Sequence, residues 1–507
     1  MEEVKKEKNQ IKFGAIITYL TNACNIIISM LITPIILKFV GAQEYGLYSL
    51  IYSMMAYFSV LDFGFGNAMI RYISKYKAEN KDDKNINSMF LIIYFLIGLI
   101  AIIIGTIVYF NLNSIFGKSL TTQELEKINI MMIIFLINVA LSFPLSVFDS
   151  YVMANEKFIF LKVINLLKII LYPIVILPLL IFGFKSITMV IVFTSLNLLS
   201  HICYAIYSLI KLKMKITLNI KKINFSIFKE IIGYSFFIFL TLIVDTVFNN
   251  TDQVILGVVS GTTAVSIYSV ANQIKNANNN FSTAISGLFL PNITKLFAKN
   301  ETKKISDTFI KISRIQLYIM LLILSGFFVF GKNFINLWVG KGYEDVYYIV
   351  LLLIGFGIVP MTQNIGISVI QAMNKHRFRS VVYCFIAILN VGISIPLAKI
   401  YGGIGTAIGS ALANVLGQII TMNIYYYKVA HLDIPQYWKN FMKIVFPVFI
   451  FSIIMKITVD RLKLNWITFL LVVGIYTLIY FTYLWIFHLN KEEKDFIKRI
   501  IKLGRKK

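Results

Sequence analysis

The sequence predicts an all-α polytopic membrane protein with about fourteen transmembrane helices, in two parallel six-helix repeats plus two C-terminal helices. Three observations predict it. Composition comes first: 58% of the 507 residues are hydrophobic and only 14% are charged, where a soluble domain carries about 25% charged residues. Apolar runs of about 20 residues, enough to cross a bilayer, recur along the whole chain. Finally, Lys and Arg gather in alternate loops, as the positive-inside rule requires.

Taken in order, the spans lie at approximately 13–38, 45–68, 88–110, 128–153, 160–182, 186–210, 231–257, 263–290, 309–330, 346–372, 380–401, 404–427, 441–459 and 466–489. The charged start MEEVKKEKNQIK leads into a full-length span, which argues against a cleavable signal peptide. One side of the membrane then receives the amino terminus, Arg71–Lys84, Lys157–Lys162, Lys211–Lys229, Lys295–Arg314, Lys375–Arg379, the stretch around Lys428–Lys439 and the KRIIKLGRKK tail. That side holds roughly 37 of the 49 basic residues and the other roughly 10, so both termini are expected in the cytoplasm. The net charge of +25 thereby follows from topology, and nucleic acid is not an expected partner. The longest outer loops have room for only about 15 residues each, too few for an extracytoplasmic catalytic domain. Cys24, Cys203 and Cys384 sit far apart in apolar stretches, with no disulfide or metal spacing, and read as small core residues.

A shift of 220 positions aligns Gly41, Tyr48 and Ser49 with Gly261, Tyr268 and Ser269. With no gap, Ile73, Lys75, Ala78 and Asn80 then meet Ile293, Lys295, Ala298 and Asn300. MANEKF (153–158) and AMNKHRF (372–378) continue the match weakly. The period equals six spans, so both copies enter the membrane in the same orientation, related by an axis along its normal. The expected division is a lobe at 1–215, a second at 216–435, and two helices with a basic cytoplasmic tail at 436–507. Pro34, Pro144, Pro173, Pro178, Pro360, Pro396 and Pro447 fall within spans and read chiefly as kinks.

Three spans carry polar stripes. In span 8, Asn272, Lys275, Asn276, Asn279, Thr283 and Ser286 follow i, i+3, i+4, i+7 spacing. Ala271, Ile274, Ala277, Phe281, Ile285 and Leu288 form the opposite face, while Asn278 and Asn280 lie off the stripe. Span 7 has Thr241, Asp245, Asn249 and Asp252 on one face, and span 1 has Thr18, Asn22, Asn25 and Ser29. The 220 shift sets Asn25 opposite Asp245 and Ser29 opposite Asn249. An ionised side chain at a helix centre costs roughly 2.5–3.5 kcal/mol on insertion scales, so these groups face protein or water. One reading is a buried Asp245–Lys275 ion pair that fixes packing. The other is a hydrated cavity, favoured by the many uncharged amides that a bare ion pair does not need.

Weaker candidates are Lys168 in span 5, with Asn165 and Tyr172 on its face, and Asp149, a geometrically reasonable partner for Lys168. Asp62 in DFGFGN (62–67) reads as structural, and His201 as a lone interior histidine. No nucleotide-binding loop, HExxH or GxSxG is present, so no cofactor or metal is expected and transport would be driven by an ion gradient or membrane potential.

The segments GAQEYGLY (41–48), DFGFGNAMIRY (62–72) and YGGIGTAIGSALANVLG (401–417) resemble bacterial polysaccharide-repeat flippases of the multidrug/oligosaccharidyl-lipid/polysaccharide exporter superfamily. The resemblance covers spans 1–12 in order. It implies translocation of a polyprenyl-pyrophosphate-linked oligosaccharide across the bacterial cytoplasmic membrane by alternating access coupled to a proton or sodium ion. Membrane lipids and the polymerase or ligase machinery that handles the glycan are then expected partners, and no enzymatic activity is expected. Under this resemblance, Lys275 would supply a cation to pyrophosphate. Asn272, Asn276, Asn279, Asn249, Asn22 and Asn25, with Lys168, would line the substrate cavity. Asp245 or Asp252 would carry the coupling ion, and Asp252 is favoured because a carboxylate beside Lys275 would keep its charge. Three alternatives stay open: a cation-coupled drug exporter of the same superfamily, a six-plus-six facilitator, and a membrane glycan polymerase or ligase. Lys275 argues against the first. The loop RYISKYKAENKDDKN lacks the Asp-Arg-x-Gly core of the second, and the short outer loops disfavour the third.

Overall fold

A computed structural model describes residues 2–217, 225–491 and 493–495. The KRIIKLGRKK tail, and residues 218–224 of the Lys211–Lys229 loop, lie outside the described residues. Regular structure among the described residues is helical throughout. The first part contains α1 (Glu2–Ser59), α2 (Phe65–Ala78), α3 (Lys84–Phe116), α4 (Thr122–Ala154), α5 (Phe158–Ile181) and α6 (Ser186–Ile206). The chain continues through α7 (Phe225–Val259), α8 (Thr262–Gly287), α9 (Leu290–Ala298), α10 (Thr302–Trp338), α11 (Asp345–Thr362) and α12 (Asn364–Ala372). It closes with α13 (His376–Asn414), α14 (Met422–Lys428), α15 (Ile434–Val459) and α16 (Trp466–Phe487).

Among the described residues, eleven segments are long and apolar enough to cross a membrane. Two of them, Ile17–Ala78 and Phe378–Lys428, have 62 and 51 residues. At about 1.5 Å per residue these are far too long for one pass of a core about 30 Å thick. Each holds a glycine that breaks helical geometry, Gly41 (φ 81°) in α1 and Gly402 (φ 54°) in α13, which divides it into two passes. The 26-residue α8 is long enough to cross but too polar to be counted, because the Asn-rich stripe interrupts it. This architecture is consistent with about fourteen crossings. All seven intramembrane prolines named above lie inside helices.

The backbone carries the repeat more strongly than the side chains do. Left-handed residues, which end one helix and aim the next, recur in pairs: Gly41 and Gly261 (both φ 81°), Asn80 and Asn300 (52° and 56°), Glu156 and Asn374 (59° and 55°). Gly183 pairs with Gly402, and Lys213 with His431. Each copy also holds a π-helical turn before its last left-handed residue, at Tyr207–Lys211 and Val415–Thr421, about ten residues out of register with the repeat. Five turns at nearly constant spacing mean that the path of the chain is repeated even where the sequence has diverged.

The chain forms two compact units, one of residues 1–273 with 383–410 and one of 274–382 with 411–507. In the first, α3 packs on α4, α4 on α6, and α1 on α5 and α7. The motif GAQEYGLY places Glu44, buried, under the Lys127 ammonium, the Ser186 hydroxyl and the Ser186 backbone N–H that opens α6. One carboxylate thus ties α1, α4 and α6 and caps a helix N-terminus, where negative charge is favoured. Gly46 of the same motif lets α1 meet α8: a Cβ there would lie 1.9 Å from the Thr262 carbonyl oxygen.

In the second unit, α10 packs on α11, α15 and α16, with Phe330, Phe469 and Tyr476 at the centre of the contact. The Arg314 guanidinium donates to both oxygens of buried Glu493, at 3.0 and 3.2 Å, and to the His488 carbonyl at 2.9 Å. Arg314→Ala would strand that carboxylate, and breaking a buried pair costs about 3–5 kcal/mol; a marked fall in thermal stability in detergent is expected, only partly restored in Arg314→Lys, which lacks the planar fork. Burial, with Lys443 and Arg314 nearby, holds the His488 imidazole below its ordinary value of 6.5. The unfolded chain then takes up that proton more readily, so acid favours unfolding. Melting temperature should drop as pH falls below 6.5, and His488→Gln should remove that part of the drop.

Candidate functional site

From Lys275 to Thr283 the polar stripe of α8 is accessible in the second unit, and Ser286 beyond it is buried. Asn276 and Thr283 are exposed, and Lys275 and Asn279 are half-buried. Asn280, off the stripe in the sequence reading, is exposed as well, and its carbonyl accepts from Thr283, as does that of Asn279. Asn278, also off the stripe, is buried. Its amide lies 3.2 Å from Met361 Sδ, and one turn on, Ser282 donates to the Met361 carbonyl at 2.5 Å and accepts from Asn364 at 2.6 Å. Gln316 donates to the Ser282 carbonyl at 3.0 Å. The helix is therefore polar on two sides, one accessible and one bonded into its own unit. The face expected to be apolar is divided: Ala271 and Ile274 are buried, whereas Phe281 and Leu288 are exposed.

In the first unit, Asn22 and Asn25 are exposed on α1, and Asp245 and Asn249 on α7. Asn272 is buried on α8. Polar pairs join these helices: Ser53 and Ser269 bond Gln253, Tyr57 bonds Thr251, and Thr33 donates to Gln273 at 3.0 Å.

Asp252 parts company with the rest of the α7 stripe. It is buried, and one carboxylate oxygen accepts from the Tyr268 and Ser410 hydroxyls, the latter at 2.6 Å. Ser410 also approaches Asn390 at 3.3 Å, and Ser394 donates to Asn390 at 2.7 Å. Asn390, Ser394 and Ser410 were missed in the sequence reading, although i, i+4 spacing of polar residues inside an apolar helix was there to be read. The carboxylate is thus held by two hydroxyls in a buried shell, and Ser410 links it to Asn390.

Lys168 lies elsewhere in the first unit, on a cavity of about 420 Å³ among α2, α4, α5 and α6. Asp62, Asp149 and His201 share its wall. The pairing is not the Asp149–Lys168 contact that the sequence made reasonable: His201 Nδ1 lies 3.5 Å from Asp149, and Lys168 donates to Asn197 at 3.4 Å. Nor is His201 alone, and Asp62 is bonded by the Tyr94 hydroxyl. Cys203 and Cys384, expected in the core, are exposed, and Cys24 is half-buried. The outer surface of a membrane-spanning unit is itself apolar, so an apolar neighbourhood does not mean burial.

Residues 11–297, more than half of the chain, match the family described as Polysaccharide biosynthesis protein. Over 209 residues the chain is 23% identical to the probable low-salt glycan biosynthesis flippase Agl15 of Haloferax volcanii, a match covering 41% of this chain and 44% of that protein. The chain thus spans less than half the length of that relative. Its fold is similar to a lipid II flippase MurJ in an inward closed conformation, with TM-score 0.70 and 17% identity over 96% of this chain and 99% of that one. It is also similar to an inward-facing multidrug resistance MATE family transporter of the MOP superfamily, with TM-score 0.65 and 13% identity over 84% and 99% of the two chains.

Proposed function

Given that the chain belongs to the polysaccharide biosynthesis protein family, we propose that it is a flippase for a polyprenyl-pyrophosphate-linked oligosaccharide in a bacterial cytoplasmic membrane, with both termini cytoplasmic. The accessible cation and amides in the middle of α8 carry this reading. Lys275 supplies a compact positive charge for pyrophosphate. Asn276 and Asn279, with Asn22, Asn25 and Asn249 on the other stripes, offer both donors and acceptors to sugar hydroxyls. Asp252 carries the coupling proton or sodium ion, and the exposed Asp245 is the alternative carrier. Membrane lipids and a glycan polymerase or ligase are the partners this role requires.

Depletion of the protein in its native cell tests the reading. A polyprenyl-pyrophosphate oligosaccharide should accumulate in the mass-spectrometric lipid profile and be cleared by the wild-type gene. An unchanged profile in a strain with no second flippase would contradict the proposal and favour export of a cationic small molecule by the same fold.

A further inference from the structure

The cavity of the first unit is too large for an ion alone. Its volume of about 420 Å³ is about fourteen times the ~30 Å³ share of one liquid water, and it falls within the range of small-molecule sites. Its wall is also the wrong chemistry for an apolar ligand. Carboxylate and amide oxygens accept, while lysine, imidazole and amide nitrogens donate; the hydroxyls of a sugar need both. The aromatic rings of Phe158 and Tyr204 border the same space and suit the C–H face of a sugar ring.

These groups are held in place before any ligand arrives. Asn138 ties Asn197 and Ser142 together, at 3.3 and 2.8 Å, and Asn197 in turn receives Lys168. Tyr94 fixes Asp62, and His201 faces Asp149. Charge narrows the ligand class. Asp62 and Asp149 are set against Lys162 and Lys168 on the wall, so the cavity is close to electrically balanced and offers no surplus cation for an acidic sugar. By the distribution of basic loops it lies toward the cytoplasmic ends of α2, α4, α5 and α6, where a lipid-linked glycan would enter.

We propose that this cavity binds one uncharged sugar residue of the glycan, held by Asp62, Asp149, Asn165, Lys168, Asn197 and His201. The identity of the ligand as part of a glycan rests on the flippase reading; the cavity's preference for uncharged sugars does not.

The test is saturation-transfer NMR on the purified full-length protein in detergent, with free N-acetylglucosamine, galactose, rhamnose and glucuronate as probes. At least one of the three neutral sugars should show transfer, glucuronate should show none, and Asn165→Leu should weaken the binding at least tenfold. Asn67→Leu, at an exposed position on the same wall, provides a second variant that leaves the hydrogen-bonded network intact and should weaken binding too. Absence of transfer from every neutral sugar, equal transfer from glucuronate, or binding that survives both substitutions would overturn the proposal. Sugar binding lost in both variants, beside an unchanged lipid profile in a strain with no second flippase, would support the site while sinking the flippase reading.

Discussion

Lys275→Ala is expected to slow glycolipid translocation by about tenfold to a hundredfold. A hydrogen bond to a charged group contributes about 1.5–3 kcal/mol, and each 1.4 kcal/mol is a factor of about ten. Lys275 is half-buried, with exposed Asn276 beside it on α8, so its ammonium is accessible to a phosphate group without being fully solvated. Lys275→Arg should retain much of the rate, because guanidinium also binds phosphate. Lys275→Met keeps the aliphatic stem and removes the charge, and it should behave like alanine in transport while melting near the wild-type temperature. A methionine variant that loses stability and transport together would make the lysine a packing element.

Asp252→Asn is expected to remove the response to an ion gradient while leaving slow downhill exchange. The substitution preserves shape and still offers an oxygen to Tyr268 and Ser410, which hold the carboxylate in a buried shell. What it removes is a charge for the driving ion to neutralise. A coupling free energy of ~1–3 kcal/mol corresponds to about 5- to 150-fold, so gradient-driven uptake into proteoliposomes should fall by about that factor. The comparison with Asp245→Asn is decisive for the carrier. If Asp245→Asn abolishes the response and Asp252→Asn retains it, the exposed carboxylate carries the ion and the buried one is structural.

The passage from sequence to structure was uneven for physical reasons. Spans were legible because lipid imposes a length on every crossing. The repeat was visible at Gly41, Gly261, Asn80 and Asn300 because those positions adopt left-handed backbone, which favours glycine and asparagine over other residues. Around Glu156, where another residue type holds the same conformation, the match was only weak, and at Lys213 it was not visible. The α8 stripe was legible from helical spacing alone, but spacing could not tell an accessible amide from Asn278, which is buried against Met361 on α11. Asp252 looked like one member of a stripe with Asp245. Its separation depends on Tyr268 and Ser410, 16 and 158 residues away in sequence. The cavity is the extreme case: Lys168 read as lining a substrate cavity with the asparagines of spans 1, 7 and 8, Asp149 as its partner, Asp62 as structural and His201 as lone, and only the packing of α2, α4, α5 and α6 gives the four a common wall.

The central claim is that this chain moves a lipid-linked glycan between leaflets, and reconstitution measures it most directly. Purified protein in liposomes holding a polyprenyl-pyrophosphate oligosaccharide would be mixed with an impermeant glycosidase, and the fraction of glycan cleaved followed with time. The account predicts that cleavage proceeds beyond the outer-leaflet half in the presence of wild-type protein, and much more slowly with Lys275→Ala. Cleavage that stops at half with wild type, under both proton and sodium gradients, would contradict it.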